Sequence, residues 1–268
     1  MYDLLTAKTG LVHVCGHRGH SIDHPENTMA AFRRAEELGG TSLEIDIVLS
    51  ADDEIVLLHD ITIDRTTNGR GLVRAMQAAE ITALDAGTSC DPRFAGEPVP
   101  LLRDVLVYAR ESGIGLHCEI KDALNEDALI ARLGDLLQET EAMDWFVAIS
   151  FDHQQLAKAK AAIPGLRTEG ITHARHVDPA GLVQRAGLDS VSVEAERFRA
   201  EDGRAIHAAG VAIRCHLPAP ASIAKVERYG IDIRGMVGAW VAEGVVDVIS
   251  GDDVGYLRSL VDEFRPGG

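Results

Sequence analysis

Residues 42–59 read SLEIDIVLSADDEIVLLH. Two apolar, β-branched runs of strand length, Ser42–Leu49 and Ile55–His59, flank the five-residue link SADDE. A parallel crossover needs a dozen or more residues, so the second run is expected to fold back antiparallel on the end of the first. Seven further strand-like runs occur, at Leu11–Cys15, Gly115–Ile120, Phe146–Ser150, Leu166–Ile171, Leu188–Val193, Val211–Cys215 and Val245–Ser250. Helical patterns separate most of them. In EDALIARLGDLLQETEAM (126–143), Leu129, Leu133, Leu136 and Leu137 share one face at 3.6-residue spacing. In NTMAAFRRAEELGG (27–40), Asn27 is read as the cap and Gly39–Gly40 as the stop. Strand–helix alternation means βα units and a parallel sheet. With the antiparallel hairpin set outside the wall, eight strands remain, the number of a (β/α)8 TIM barrel. The expectation is a single α/β domain over residues 1–268 with a hairpin and loop insertion after the second strand, at about 50–100.

A chain of 268 residues suits such a barrel, and 46% hydrophobic with 25% charged residues suits a globular core. Aromatics make up only 4%, so aliphatic side chains are expected to fill that core. The net charge of −16 excludes a nucleic-acid groove, which needs a basic footprint, and argues against stable association with anionic membrane. A small anionic substrate remains compatible where a metal and a few cations reverse the local field. The start, MYDLLTAKTGLVHVCGHRG, has no basic n-region followed by a long apolar run, and no stretch reaches the roughly 18 apolar residues of a membrane span. Cys15, Cys90, Cys118 and Cys215 form no CxxC pair and read as reduced, mostly buried thiols. A cytoplasmic location is therefore expected. Homo-oligomerisation is left open.

Sites in barrels of this kind form at the C-terminal ends of the strands. His17 and Arg18 follow the first strand. Glu44 and Asp46, two apart, point to the same side of the second by the period-two rule. His59 ends the hairpin, and Glu119 and Lys121 form another same-side pair at the end of Gly115–Ile120. Glu44 and Asp46 interrupt an otherwise apolar strand, and carboxylates placed where burial is expected need a cation. Three oxygen donors without a cysteine cluster suit a hard cation, Mg²⁺ or Ca²⁺. Two imidazoles, Arg18 and Lys121 beside such a metal suit phosphoester chemistry. His13, Cys15 and His17 alternate onto one face as a rival zinc set, but His13 and Cys15 fall inside the strand, where packing is expected. Asp52 and Asp53 read as a solvated turn. The chain has neither GxxxxGK[ST] nor GxGxxG.

The ordered motifs GHRGHSIDHPENT, SLEIDIVL, LLHDITIDRTTNGRG, GEPVPLLRDVL and LHCEIK resemble those of the glycerophosphodiester phosphodiesterases along nearly the whole chain. The resemblance implies a barrel with a divalent metal on Glu44, Asp46 and Glu119. It implies His17 and His59 as general base and acid, and Arg18 and Lys121 as phosphate-binding residues. The expected reaction is hydrolysis of a glycerophosphodiester to an alcohol and glycerol 3-phosphate. Departures come late. RCHLPAP (214–220) stands where a Trp-Thr-Val-Asn-like run is common, and ISGDDVGYL (249–257) replaces a Thr-Asp-Pro-like turn. Arg214 and His216 would add hydrogen-bond donors to the substrate side and favour a hydroxyl-rich anionic diester. A related sugar (opine-type) phosphodiester, phospholipase-D-like cleavage of lysolipids, or a non-enzymatic phosphate-binding barrel are the alternatives.

Overall fold

The computed structural model describes residues 2–121 and 124–265. Its strands are β1 (His13–His17), β2 (Ser42–Leu49), β3 (Ile55–Leu57), β4 (Gly115–Ile120), β5 (Phe146–Ser150), β6 (Arg167–Thr172), β7 (Ser190–Glu194), β8 (Ala212–His216) and β9 (Val248–Gly251). The hydrogen-bonded order runs β1-β9-β8-β7-β6-β5-β4-β2, and pairing of β1 with β2 closes the ring. Every pair in that ring is parallel. Only β3 is antiparallel, with Leu49 against Ile55 and Ile47 against Leu57, so the hairpin stands outside an eight-stranded TIM barrel.

Alternation along the strands sorts the core into two kinds. Leu43, Ile45 and Ile47 of β2 join Phe32, Leu102, Leu106, Leu133 and Leu137 in the aliphatic layer between wall and helices. The intervening Glu44 and Asp46 must then point into the barrel. The four leucines of Glu126–Thr140 are all buried, as the 3.6-residue spacing requires. The barrel interior is far more polar than the composition leads one to expect. Tyr2 Oη lies 3.0 Å from His117 Nε2, His117 Nδ1 lies 3.2 Å from Glu169, and Arg214 Nε donates to Glu169 Oε1 at 2.6 Å, all fully or nearly buried.

Residues after β3 build a satellite core in which Ile63, Val73, Ala78, Ile81, Ala86 and Val99 pack on Val48, Val56 and Leu58. The insertion is thus an ordered flank of the hairpin with its own small apolar centre. Thr28, and not Asn27, caps the helix Met29–Glu37, its side chain accepting from the Ala31 amide. Cys15, Cys118 and Cys215 are buried, whereas Cys90 is exposed. Among the described residues, no helix is long and apolar enough to cross a membrane.

Candidate active site

Strand register brings the sequence-distant groups together. His17 is the neighbour of Glu44 across β1–β2, and Asp46 is the neighbour of Glu119 across β2–β4. Ligand oxygens of Glu44, Asp46 and Glu119 lie within 4.8 Å of one another, and all three side chains are buried. Lys121 Nζ sits 2.8 Å from Glu119 and 3.3 Å from Asp46 Oδ1, while Arg18 Nε lies 3.2 Å from Asp46 Oδ2. His17, Arg18, Glu44, His59, Glu119 and Lys121 line one cavity of about 350 Å³, with Arg214 and His216 in its wall.

The turn carrying His17 and Arg18 is tight. A side chain at Gly16 would meet the Gly19 carbonyl at 2.6 Å, and Gly19, at φ +88°, lies directly against Ala31. Arg18 itself adopts a left-handed φ of 56°, a conformation that costs a non-glycine residue free energy and recurs at functional sites. The bend turns the Arg18 amide onto Glu44 Oε2 at 3.1 Å and its guanidinium onto Glu26 at 3.0 Å.

Each histidine has a carboxylate on its Nδ1. Asp252 Oδ1 holds His17 Nδ1 at 2.7 Å, and Asp60 Oδ1 holds His59 Nδ1 at 2.7 Å. A carboxylate there keeps the proton on Nδ1 of the neutral ring, leaving Nε2 as the unprotonated nitrogen. Burial would lower the His17 imidazole, but Glu44 and the Asp252 hydrogen bond more than reverse it, so its proton affinity is raised. His216, edge-on to His17 with ring centroids 5.0 Å apart, is pushed down to about 3 by burial, His17 and Arg214.

The acidic trio fits a hard cation. Lys121 lies beside Asp46 Oδ1 without hydrogen-bond alignment, so that buried oxygen has no hydrogen-bond partner. Burial, Asp46 and Glu119 push the Glu44 carboxyl up to about 7. Carboxyls so crowded and so dry are relieved by further positive charge, and their oxygen-only chemistry suits a small divalent ion. The zinc rival fails on geometry. His13 is bound to Thr41 and the Asp3 carbonyl, and at about 3.3 Å per residue it lies some 13 Å along the strand from His17.

The sequence model of the glycerophosphoryl diester phosphodiesterase family matches residues 17–233, most of the chain. The chain belongs to that family. It is accordingly a phosphoric diester hydrolase. It is similar to a glycerophosphodiester phosphodiesterase from Caldanaerobacter subterraneus, 36% identical over 173 residues that cover 64% of this chain and 71% of that one. Among solved structures it is similar to a phosphodiesterase from Oleispira antarctica in complex with the product sn-glycerol-3-phosphate, with a TM-score of 0.80, 26% identity and coverage of 96% of this chain and 99% of that one. A glycerophosphodiester phosphodiesterase from Agrobacterium tumefaciens superposes with a TM-score of 0.77 at 25% identity, covering 94% of this chain and 100% of the other.

Within this member of the family, all seven residues singled out from the sequence gather at one end of the barrel; six line the cavity and Asp46 lies behind them. Residues that sequence reasoning missed form the layer behind. Asn27 Nδ2 donates to Asp46 Oδ2 at 2.8 Å, and its Oδ1 accepts from the Asp46 amide at 3.1 Å. Its helix-cap position in the sequence concealed that role. Asp60 could have been found as the carboxylate following His59. Asp252 and Glu169 carried no local signal, because their charged partners His17 and Arg214 lie more than forty residues away.

Proposed function

We propose that this protein hydrolyses a glycerophosphodiester to an alcohol and glycerol 3-phosphate, acting as one catalytic domain over residues 1–268 with the insertion at about 50–100. The observation that carries the reading is one cavity lined by two carboxylate-held histidines, two cations and the acidic trio, in a chain of this family. Its likeness to the Oleispira protein that holds sn-glycerol-3-phosphate supports a small phosphate-bearing substrate. Glu44, Asp46 and Glu119 would hold Mg²⁺ or Ca²⁺, whose charge would lower the cost of negative charge on the phosphoryl oxygens. Arg18 and Lys121 orient the phosphate with the cationic groups that now face Asp46. His17 and His59 work as a pair through Nε2. One takes the proton from the attacking oxygen, and the other returns a proton to the departing alcohol oxygen, closing the proton balance.

The test is release of glycerol 3-phosphate from a panel of glycero-, lyso- and sugar phosphodiesters, with and without EDTA. Turnover of glycerophosphodiesters that EDTA abolishes and Mg²⁺ or Ca²⁺ restores is expected. Binding to the native state alone at a hundred times Kd stabilises by about 2.7 kcal/mol, so the metal should also raise Tm. Glu44→Gln should lose both the turnover and the metal-induced Tm shift. Normal activity of Glu44→Gln at low metal, or turnover indifferent to EDTA, contradicts the assignment.

A further inference from the structure

The register that positions His17, Glu44, Asp46 and Glu119 does not reach His59. The antiparallel ladder of β3 ends at Leu57, and His59 lies two residues beyond it, outside the barrel wall. Something else must hold the second histidine against the first half of the site. The motif RTTNGRG (65–71) and the glutamate of PENT (25–28) have no place in the proposed chemistry, and they meet in space. Arg65 Nη1 and Nη2 donate to the two oxygens of Glu26, each at 2.8 Å, and Arg65 Nε donates to Asp60 Oδ2 at 2.7 Å. Asp60 uses its other oxygen on His59 Nδ1, and Glu26 Oε1 also accepts from Arg18 at 3.0 Å.

We propose that Arg65 is a positioning residue that locks the insertion onto the β1 turn, holding His59 and Arg18 in one rigid chain, His59–Asp60–Arg65–Glu26–Arg18. This rests on the roles proposed above for His59 and Arg18.

Three properties support it. The guanidinium presents two edges in a fixed plane, so one side chain serves a bidentate carboxylate and a second acid at once in a set geometry, which the point charge of an ammonium does not impose. Isolated exposed ion pairs contribute little, but a bidentate fork joined to a network is the exception. The charges are also well matched. The Arg65 hydrogen bond holds the half-exposed Asp60 carboxyl at about 2, and Arg65 with Arg18 outweighs the burial that would raise Glu26. Asp60 and Glu26 therefore both stay ionised at neutral pH.

Arg65 is a half-exposed loop residue, so replacing it should leave the barrel folded, as circular dichroism would check. In Arg65→Ala, amide hydrogen exchange should accelerate both in residues 18–28 and in residues 59–71 while β6, β7 and β8 remain unchanged. The kcat on the best glycerophosphodiester should fall by about 10²-fold, the cost of an ångström-scale misplacement. Millimolar guanidinium should restore part of the loss in Arg65→Ala but none in Lys121→Ala, and Arg65→Lys should fall between wild type and Arg65→Ala. Exchange that changes only in 59–71, or a kcat within about twofold of wild type, overturns the proposal. If wild type turns over no diester of the panel, the functional reading fails, and the exchange experiment alone still decides whether Arg65 joins the two segments.

Discussion

Glu169 and Arg214 face each other in the middle of the barrel, forty-five positions apart in the chain and 2.6 Å apart in space. Burial alone would raise the Glu169 carboxyl, yet Arg214 and His117 hold it down, from the ordinary 4.5 to about 2. A carboxyl depressed on folding contributes stability that is present above its unfolded value and lost as the pH falls through the folded one. Stability should therefore decline between about pH 4.5 and 2 through this group, and Glu169→Gln should flatten that part of the curve. Because it strands a buried guanidinium, the same change should cost about 3–5 kcal/mol at neutral pH. Denaturant unfolding from pH 2 to 7 checks both; an unaltered acid limb refutes the pairing. The expectation that Arg214 serves substrate hydroxyls is narrowed accordingly. Its Nε edge is committed to Glu169, while the guanidinium still reaches the cavity wall. Period-two alternation could show that Glu169 and Arg214 face inward, but no local pattern could show that they face each other.

The turn before the first long helix shows how adjacent residues divide labour. Thr28 accepts from the Ala31 amide and caps the helix, whereas Asn27, at φ +55°, grips both the backbone and the carboxylate of Asp46. Thr28→Ala should cost about 1 kcal/mol of stability and leave metal affinity alone. Asn27→Gly removes the amide while tolerating the left-handed backbone, so it should weaken metal binding by about 10–100-fold with a smaller stability loss. Metal titration of Tm in the two variants separates the effects; equal metal affinities would show that Asn27 is only a turn residue. From sequence, both are good capping types, and only the tertiary approach of β2 distinguishes them. The hairpin, by contrast, was legible because a chain-length limit forbids any other connection across SADDE. The internal structure of the insertion was not legible. Its satellite core uses scattered residues, Ile63, Val73, Ile81 and Val99, with no periodicity to announce them.

At the scale of the whole molecule, barrel closure carries the site. β1 must pair with β2 for His17 to meet Glu44, and β2 with β4 for Asp46 to meet Glu119. These pairings follow from strand order, so strand counting placed most of the candidate residues at one end of the barrel. Asp252 and Glu26 became visible as supporting acids only when loops far apart in sequence were brought onto the rim, whereas Asp60 directly follows His59. A protein of net charge −16 that works on an anionic diester must concentrate its positive charge locally, and Arg18 and Lys121, which lie beside the acidic trio, are the cations proposed for that task. The central claim is that His17 from the barrel wall and His59 from the insertion act as one proton-transfer pair. The most direct measurement is kcat/KM for His17→Ala, His59→Ala and the double variant on one glycerophosphodiester at saturating metal. Each single change should cost at least about 10²-fold, and the double should fall well short of the product of the two losses, because groups acting as a unit are not additive. Losses that multiply, or a fully active His59→Ala enzyme, would contradict the account.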